Sequence, residues 1–333
     1  MRKHLGIIVL GLVLLAGLAA PLVTGASQPG FYIEVLLGGL MAGVLYSLVA
    51  LGFALIFKAS GVFNFAQGAM VLFAALAVAR LAERMPLWVA ILISIVIMIV
   101  LAWIIERLVL RPLVNQEGVA LLMATLGVSY FLDGFGQTVW GSDIYKIELG
   151  IAKEPVMILD QVFQGGILVN KEDFVATIAA AALVGSLALF FQKTATGRAL
   201  RAVADDHQAA QSIGIPLNRI WVIVWSVAGI VALVAGVLWG SKLGVQFSLS
   251  QVALKALPVV ILGGFTSVTG AIVGGLIIGV GEKMAEVFLG PVMVKAFDLA
   301  GGGIENWFAY VLALLFLLVR PQGLFGEKHI DRV

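Results

Sequence analysis

The sequence predicts an all-α fold. It reads as a polytopic bundle of transmembrane helices with about ten spans, one of them short or broken. Three observations carry this expectation. Hydrophobic residues fill 61% of the 333 positions and charged residues only 12%, where soluble domains run at about half apolar and about a quarter charged. Mean hydropathy is +1.09. Apolar runs of about 20 residues, the length that crosses a hydrocarbon core, recur along the chain with no soluble domain between them. The chain is therefore read as a single transmembrane domain, residues 1–333, embedded in the lipid bilayer.

The candidate spans are residues 5–23, 34–57, 62–79, 87–105, 119–139, 174–191, 220–239, 252–264, 268–288 and 304–319. The run at 252–264 is short and holds Lys255 and Pro258. Such a segment reads as broken or re-entrant, which is tolerated at membrane depth only inside protein. The first run follows Arg2-Lys3-His4 and ends near Thr24-Gly25-Ala26, a pattern that also fits a cleaved signal peptide. Its apolar stretch is longer than a signal core, so a retained helix is the favoured reading.

Basic residues orient the spans, since loops rich in Lys and Arg stay in the cytoplasm. Arg107 and Arg111 flank one loop; Lys193, Arg198, Arg201 and Arg219 flank another; Arg320, Lys328 and Arg332 mark the C-terminus. With an even number of spans and Arg2 and Lys3 inside, all three groups fall on the cytoplasmic side. Arg80 and Arg84 run against this pattern. The mixed-charge loop 140–173 then lies outside the cell, and the loop 192–219 inside.

The inner loop carries the main signal. From Gly197 to Ile213 it is rich in Ala, Arg and Gln and lacks proline, so it predicts one helix. Thr196 is the expected N-cap, and Gly214 followed by Pro216 the expected stop. Leu200, Val203, Ala204, His207, Ala210 and Gln211 share a face. Such a helix either caps the membrane domain at the interface or docks a partner through exposed Arg198, Arg201, Asp205 and Asp206.

Four motifs then occur in order. Ala209-Ala210-x-x-x-Gly214, followed by Ile215-Pro216-Leu217-Asn218, resembles the E-A-A-x-x-x-G loop of ABC-importer permeases, with Gln208 where that pattern is acidic. The preceding Thr196-Gly197-Arg198 and Arg201 to Asp206 look like the same loop in branched-chain amino acid permeases of the LivH type. Gly39 to Gly68, ending Asn64-Phe65-Ala66-Gln67-Gly68, is similar to a second family signature. Lys255 to Gly275 and Pro321-Gln322-Gly323-Leu324-Phe325-Gly326 supply the third and fourth. The resemblance covers residues 34–326. It implies docking of ATP-binding cassette subunits on Gly197, Arg198, Arg201, Asp205, Asp206, Ala209, Ala210 and Gly214. It also implies a second, homologous permease subunit, an external solute-binding protein and a place in the bacterial inner membrane. The implied cargo is branched-chain amino acids or a related small polar solute, with urea and short amides as alternatives.

Polar residues inside spans are costly and face protein or a cavity. Asn64 and Gln67 either line a translocation path or bond helix to helix. Tyr130 and Asp133 share a polar face of one span, lining the path or sitting at its outer mouth. Lys255, Glu282, Lys283 and Glu286 read as local ion pairs near span ends, with substrate contact as the alternative. The glycine pairs Gly39/Gly43, Gly236/Gly240, Gly270/Gly274 and Gly275/Gly279 have the spacing of close helix packing.

Other functions are excluded or disfavoured. A net charge of +2 gives no footprint for nucleic acid. With no cysteine, and with His4, His207 and His329 all outside the spans, no thiolate or histidine metal site is expected, and no cofactor. The chain has no G-x-x-x-x-G-K-[ST] phosphate loop, so the expectation is a transport subunit without its own ATPase site. A gradient-driven secondary transporter is the alternative, since Gly39 to Gly68 and Gly229 to Gly264 both pair a glycine-rich helix with a polar break.

Overall fold

The computed structural model describes residues 29–61, 63–113, 116–152, 154–163, 166–205, 207–298 and 303–326. The run at 5–23, Asp206, Lys328 and Arg332 lie outside the described residues. Every apolar run from residue 34 onward contains helix. In chain order these are α1 Pro29–Ser60, α2 Gln67–Ala82, α3 Leu87–Ile104, α4 Gly118–Trp140 and α5 Lys171–Lys193. Then come α6 Ala195–Asp205, α7 His207–Ser212, α8 Leu217–Leu243, α9 Val252–Lys255 and α10 Leu257–Gly263. The last three are α11 Val268–Met284, α12 Gly290–Phe297 and α13 Ile304–Val319.

Five helices are long and apolar enough to cross a membrane, or six when the bent pair Phe247–Gly263 and Val268–Ala296 is one span. The expected membrane helix bundle is thus present, and its described residues hold these long spans together with two shorter apolar helices. α2 and α13 are apolar but have only 16 residues each. The segment through α9 and α10 folds back on α11 at 114°, as its proline, lysine and short length foreshadow.

Burial divides the bundle into a centre and a rim. α1, α2 and α8 are mostly buried. α3, α4 and α5 expose apolar faces that include Val96, Phe131 and Ile178. In a bilayer such faces meet lipid or another helix, at little cost either way. Within the centre, small residues let backbones approach. A Cβ on Gly43 would lie 2.7 Å from the Gly275 carbonyl, and one on Gly274 2.7 Å from the Val259 carbonyl. Gly236 abuts the Val71 carbonyl in the same way. The Ser47 hydroxyl stitches α1 to α11 through the Gly43 and Ile272 carbonyls, at 2.7 and 3.1 Å. The glycine pairs named from spacing are thus packing sites.

The chain sorts its loops to two ends. At one end, residues 140–173 hold a hairpin that the spacing of residues did not reveal: β1 Pro155–Ile158 pairs antiparallel with β2 Ile167–Asn170. Tyr145 bridges to Val245, the Leu168 N–H donates to Glu34 at 3.3 Å, and Asp173 pairs with Lys242 at 2.6 Å. The loop is therefore tied down on the ends of α1, α5 and α8. Arg80 lies at this end, over the Tyr145 ring at 5.0 Å and paired with Glu83.

At the other end α6 and α7 follow α5. The antiparallel packing of α3 on α8, with Met98 beside Gly229, brings Arg107 and Arg111 near the start of α8 and Arg219. Here α3 widens into a π-helical turn, Ile105–Leu110, where fully buried Glu106 accepts from Arg111 at 3.1–3.2 Å. Among the described residues, the basic groups expected on one side gather at one end.

Candidate coupling and translocation site

The loop helix forms; α6 and α7 are its described parts on either side of Asp206. It differs from expectation in beginning earlier: the Thr194 hydroxyl, not that of Thr196, accepts from the Gly197 N–H at 3.2 Å. Thr194 wins because α5 ends there, so its hydroxyl is placed to cap the new helix. The predicted stop is met in full. Gly214 takes φ +85°, its N–H reaches the Gln211 carbonyl, and the Ile215 N–H reaches that of Ala210 at 3.0 Å. These two bonds make a Schellman ending.

α6 is locked to the bundle. Leu200 and Val203 are buried in the main core, and so is Ala210 of α7. Gly197 sits against the Phe191 backbone so closely that any Cβ would strike it. The Arg201 guanidinium donates to the Phe191 carbonyl at 2.7 Å, closing the end of α5. Gly197 and Arg201 therefore fix the helix, while Arg198, Ala209 and Gly214 face outward.

Next to α6 the third and fourth motifs become one joint. The turn between α10 and α11 includes Gly264, at φ +104°. The Leu324 and Phe325 N–H groups donate to the Leu262 and Gly263 carbonyls, at 2.8 and 3.0 Å. The C-terminal motif thus satisfies carbonyls that the end of α10 leaves open. A cavity of about 170 Å³ separates this joint from α6, lined in part by Lys58, Arg201, Thr266, Thr269 and Phe325.

Two breaks meet deeper in the bundle. The first, residues 61–66, carries Asn64 and leads into Gln67. Both side chains are fully buried. Asn64 accepts from the Ala66 N–H at 3.0 Å and donates to Gln67 at 3.3 Å; Gln67 donates to the Ala228 carbonyl of α8 at 3.4 Å. Thr125 of α4 closes over the Phe63 carbonyl. In this conformation the amide pair bonds helix to helix. The second break is the 3-10 turn Phe247–Gln251 with α9. It touches the first directly, because a Cβ on Gly68 would strike the Ser250 carbonyl and lie 3.1 Å from the Ala253 Cβ.

The second break carries charge. Lys255 Nζ lies 3.5 Å from Glu282 of α11 and 3.7 Å from Glu305 of α13. The Tyr46 hydroxyl of α1 donates to the same Glu282 oxygen at 3.1 Å. Lys283 and Glu286 form the expected local pair, at 2.8 Å. Lys255 and Glu282 do not fit the local reading, since their partners come from four different helices. Sequence reasoning missed this cluster; the lysine in a short apolar run was its one visible sign.

Tyr130 is 77% exposed on the outer face of α4, beside Phe131. Asp133 is half-buried on the same helix, with one oxygen unpartnered. The structure does not bring this pair to the Asn64–Gln67 break. Asp205 ends α6, and Asp206 is outside the described residues.

A model of the family described as branched-chain amino acid transport system / permease component matches residues 35–320. The chain belongs to this family. It is 27% identical to the high-affinity branched-chain amino acid transport system permease protein LivH of Salmonella typhimurium, over 91% of this chain and 98% of that one. It is equally similar to BraD of Pseudomonas aeruginosa, with the same identity and coverage. Among solved structures it is similar to PsaBC from Streptococcus pneumoniae in complex with Fab. That likeness has a TM-score of 0.44 and 15% identity, over 87% of this chain and 94% of that one. As a member of the permease family, the chain is a multi-pass membrane transport subunit.

Proposed function

We propose that this permease is the membrane-spanning half of an ABC importer that carries branched-chain amino acids, or a related small polar solute, across the bacterial inner membrane. Separate ATP-binding subunits supply the energy, and this chain has no ATPase site of its own. They dock on the outward side of α6 and α7 through Arg198, Ala209, Gly214 and the acidic end at Asp205 and Asp206. A second permease subunit completes the path. An external solute-binding protein delivers cargo to the 140–173 end, where Met157, Leu159 and Val162 leave an apolar edge exposed.

The observation that carries this reading is the continuity from α6 to the charged break. α6 is welded to α5 by Gly197 and Arg201. It packs on α1, which in turn packs on α10 and α11 beside the charged break. A push on α6 therefore reaches the break through packed elements. The path runs past the second break, and Asn64 and Gln67 form the sealed wall behind it. Tyr130 and Asp133 stand aside from it, on the face turned to lipid or the second subunit.

The chain has no cysteine, so single cysteines report contacts without background. With Arg198→Cys and Ala209→Cys, cross-linking to the co-expressed ATP-binding subunit is expected, with yields that change on ATP binding. A cysteine at Met157, at the other end, is expected to give none. Cross-links from Met157 and none from α6 would reverse the orientation and defeat the reading.

A further inference from the structure

We propose that Lys255, Glu282 and Glu305 form a zwitterion-reading site that pairs with the solute's carboxylate and ammonium as it passes the second break. This rests on the importer reading above and assigns its specificity to residues. Lys255 and Glu305 are each about a third exposed (34% and 35%), whereas Glu282 is nearly buried. Charges within a membrane-spanning bundle face a water-filled path or another protein rather than lipid.

Three features of the cluster point to a ligand. Its bonds are loose: 3.5 and 3.7 Å exceed the roughly 2.7–2.9 Å of a committed charge-assisted bond. One ammonium is divided between two carboxylates, and the nearby Lys283 is already held by Glu286 at 2.8 Å. The two carboxylates thus hold one ammonium in common, and each keeps capacity for a second partner. Finally, Trp239 stacks on Tyr46 with ring centroids 5.8 Å apart. Its indole N–H is buried and finds no acceptor among the described residues.

A zwitterion answers each feature. Its ammonium pairs with Glu282 and Glu305. Its carboxylate replaces them on Lys255 and can accept from the indole N–H. When the solute leaves, the protein charges close on one another again. Net charge at the cluster is the same in both states, and in each every ion keeps at least one opposite partner, which avoids the costly outcome of a stranded charge. A neutral polar solute or a simple anion lacks one half of this exchange.

The test uses the complete transporter, with its second permease, ATP-binding subunits and binding protein, in proteoliposomes. Wild-type ATP-driven uptake of L-leucine comes first; if it is absent for all branched-chain amino acids, the importer reading fails, separately from this one. Given wild-type uptake, Lys255→Met is expected to lower it roughly 10- to 100-fold, the loss of a charge-assisted contact. Stimulation of ATP hydrolysis by the binding protein should remain. The double variant Lys255→Met/Glu282→Gln removes both charges, a change that buried pairs tolerate well. It should stay folded and stay as poor in uptake as the single variant. A double variant that regains wild-type uptake would show an ion pair serving structure alone and overturn the proposal. One that cannot fold would assign the cluster to folding and overturn it equally.

Discussion

The two breaks in this bundle lie side by side where Gly68, just after the first, meets Ser250 of the second, yet they are built from opposite materials. The first is closed with neutral amides: Asn64 and Gln67 are fully buried and bonded to backbone and to one another. The second is held by charges that share partners at long range, with Lys255 and Glu305 partly open. Neutral amides in a membrane protein find partners at small net cost and hold helices together. Partly open charges within a membrane-spanning bundle are expensive, which makes them a candidate functional site. The contrast is the basis on which the first break is proposed as a wall and the second as a passage, which the residue types alone did not provide.

The strongest way to break the comparison is to drive the two breaks apart. Gly68→Val places atoms where the Ser250 carbonyl and Ala253 now sit. Overpacking of this kind costs about 3 kcal/mol. The thermal midpoint of the purified complex should fall and uptake should be lost. A variant of normal stability and activity would mean that the contact is not needed.

A second probe uses the other buried carboxylate. Glu106 is held on both oxygens by Arg111, which is 38% exposed. Arg111→Ala strands that charge. The cost is about 2 kcal/mol, below the range for fully buried pairs because water reaches the arginine. Stability should drop with no change in the preference for leucine over its amide. A shift in preference would give Glu106 a part in the path.

Within the first break, Gln67→Leu removes the bond to Ala228 and should cost about 1 kcal/mol. Apparent affinity for solute should not move, in contrast to Lys255→Met. If Gln67→Leu changes selectivity, the amide pair lines the passage after all. Smallest in stability is Arg198→Glu, an exposed change expected to alter the fold by less than about 0.5 kcal/mol. It should still weaken binding of the ATP-binding subunit, measured by co-purification at rising salt.

The legible parts of this molecule are local. The apolar runs gave the helices because periodicity and length are local facts. Gly214 and Pro216 marked the end of α7 because a helix stop is written within a few residues. The glycine spacings marked packing faces, although not which face meets which. The rest was unreadable because it depends on partners far away in sequence. Glu282 meets Tyr46 across 236 positions and Lys255 across 27. Thr194 displaced Thr196 as the cap only because α5 ends where it does. The C-terminal motif was recognised but not explained, since its role is to bond carbonyls at the end of α10.

The central claim is that separate ATPases power this permease by pushing on α6. Its most direct test is uptake of labelled L-leucine into proteoliposomes holding the whole complex. ATP, ion gradients and the ATP-binding subunits are then supplied or withheld one at a time. The account predicts uptake that needs both ATP and those subunits and is indifferent to imposed proton or sodium gradients. Uptake that follows a gradient and persists without the ATP-binding subunits would contradict it.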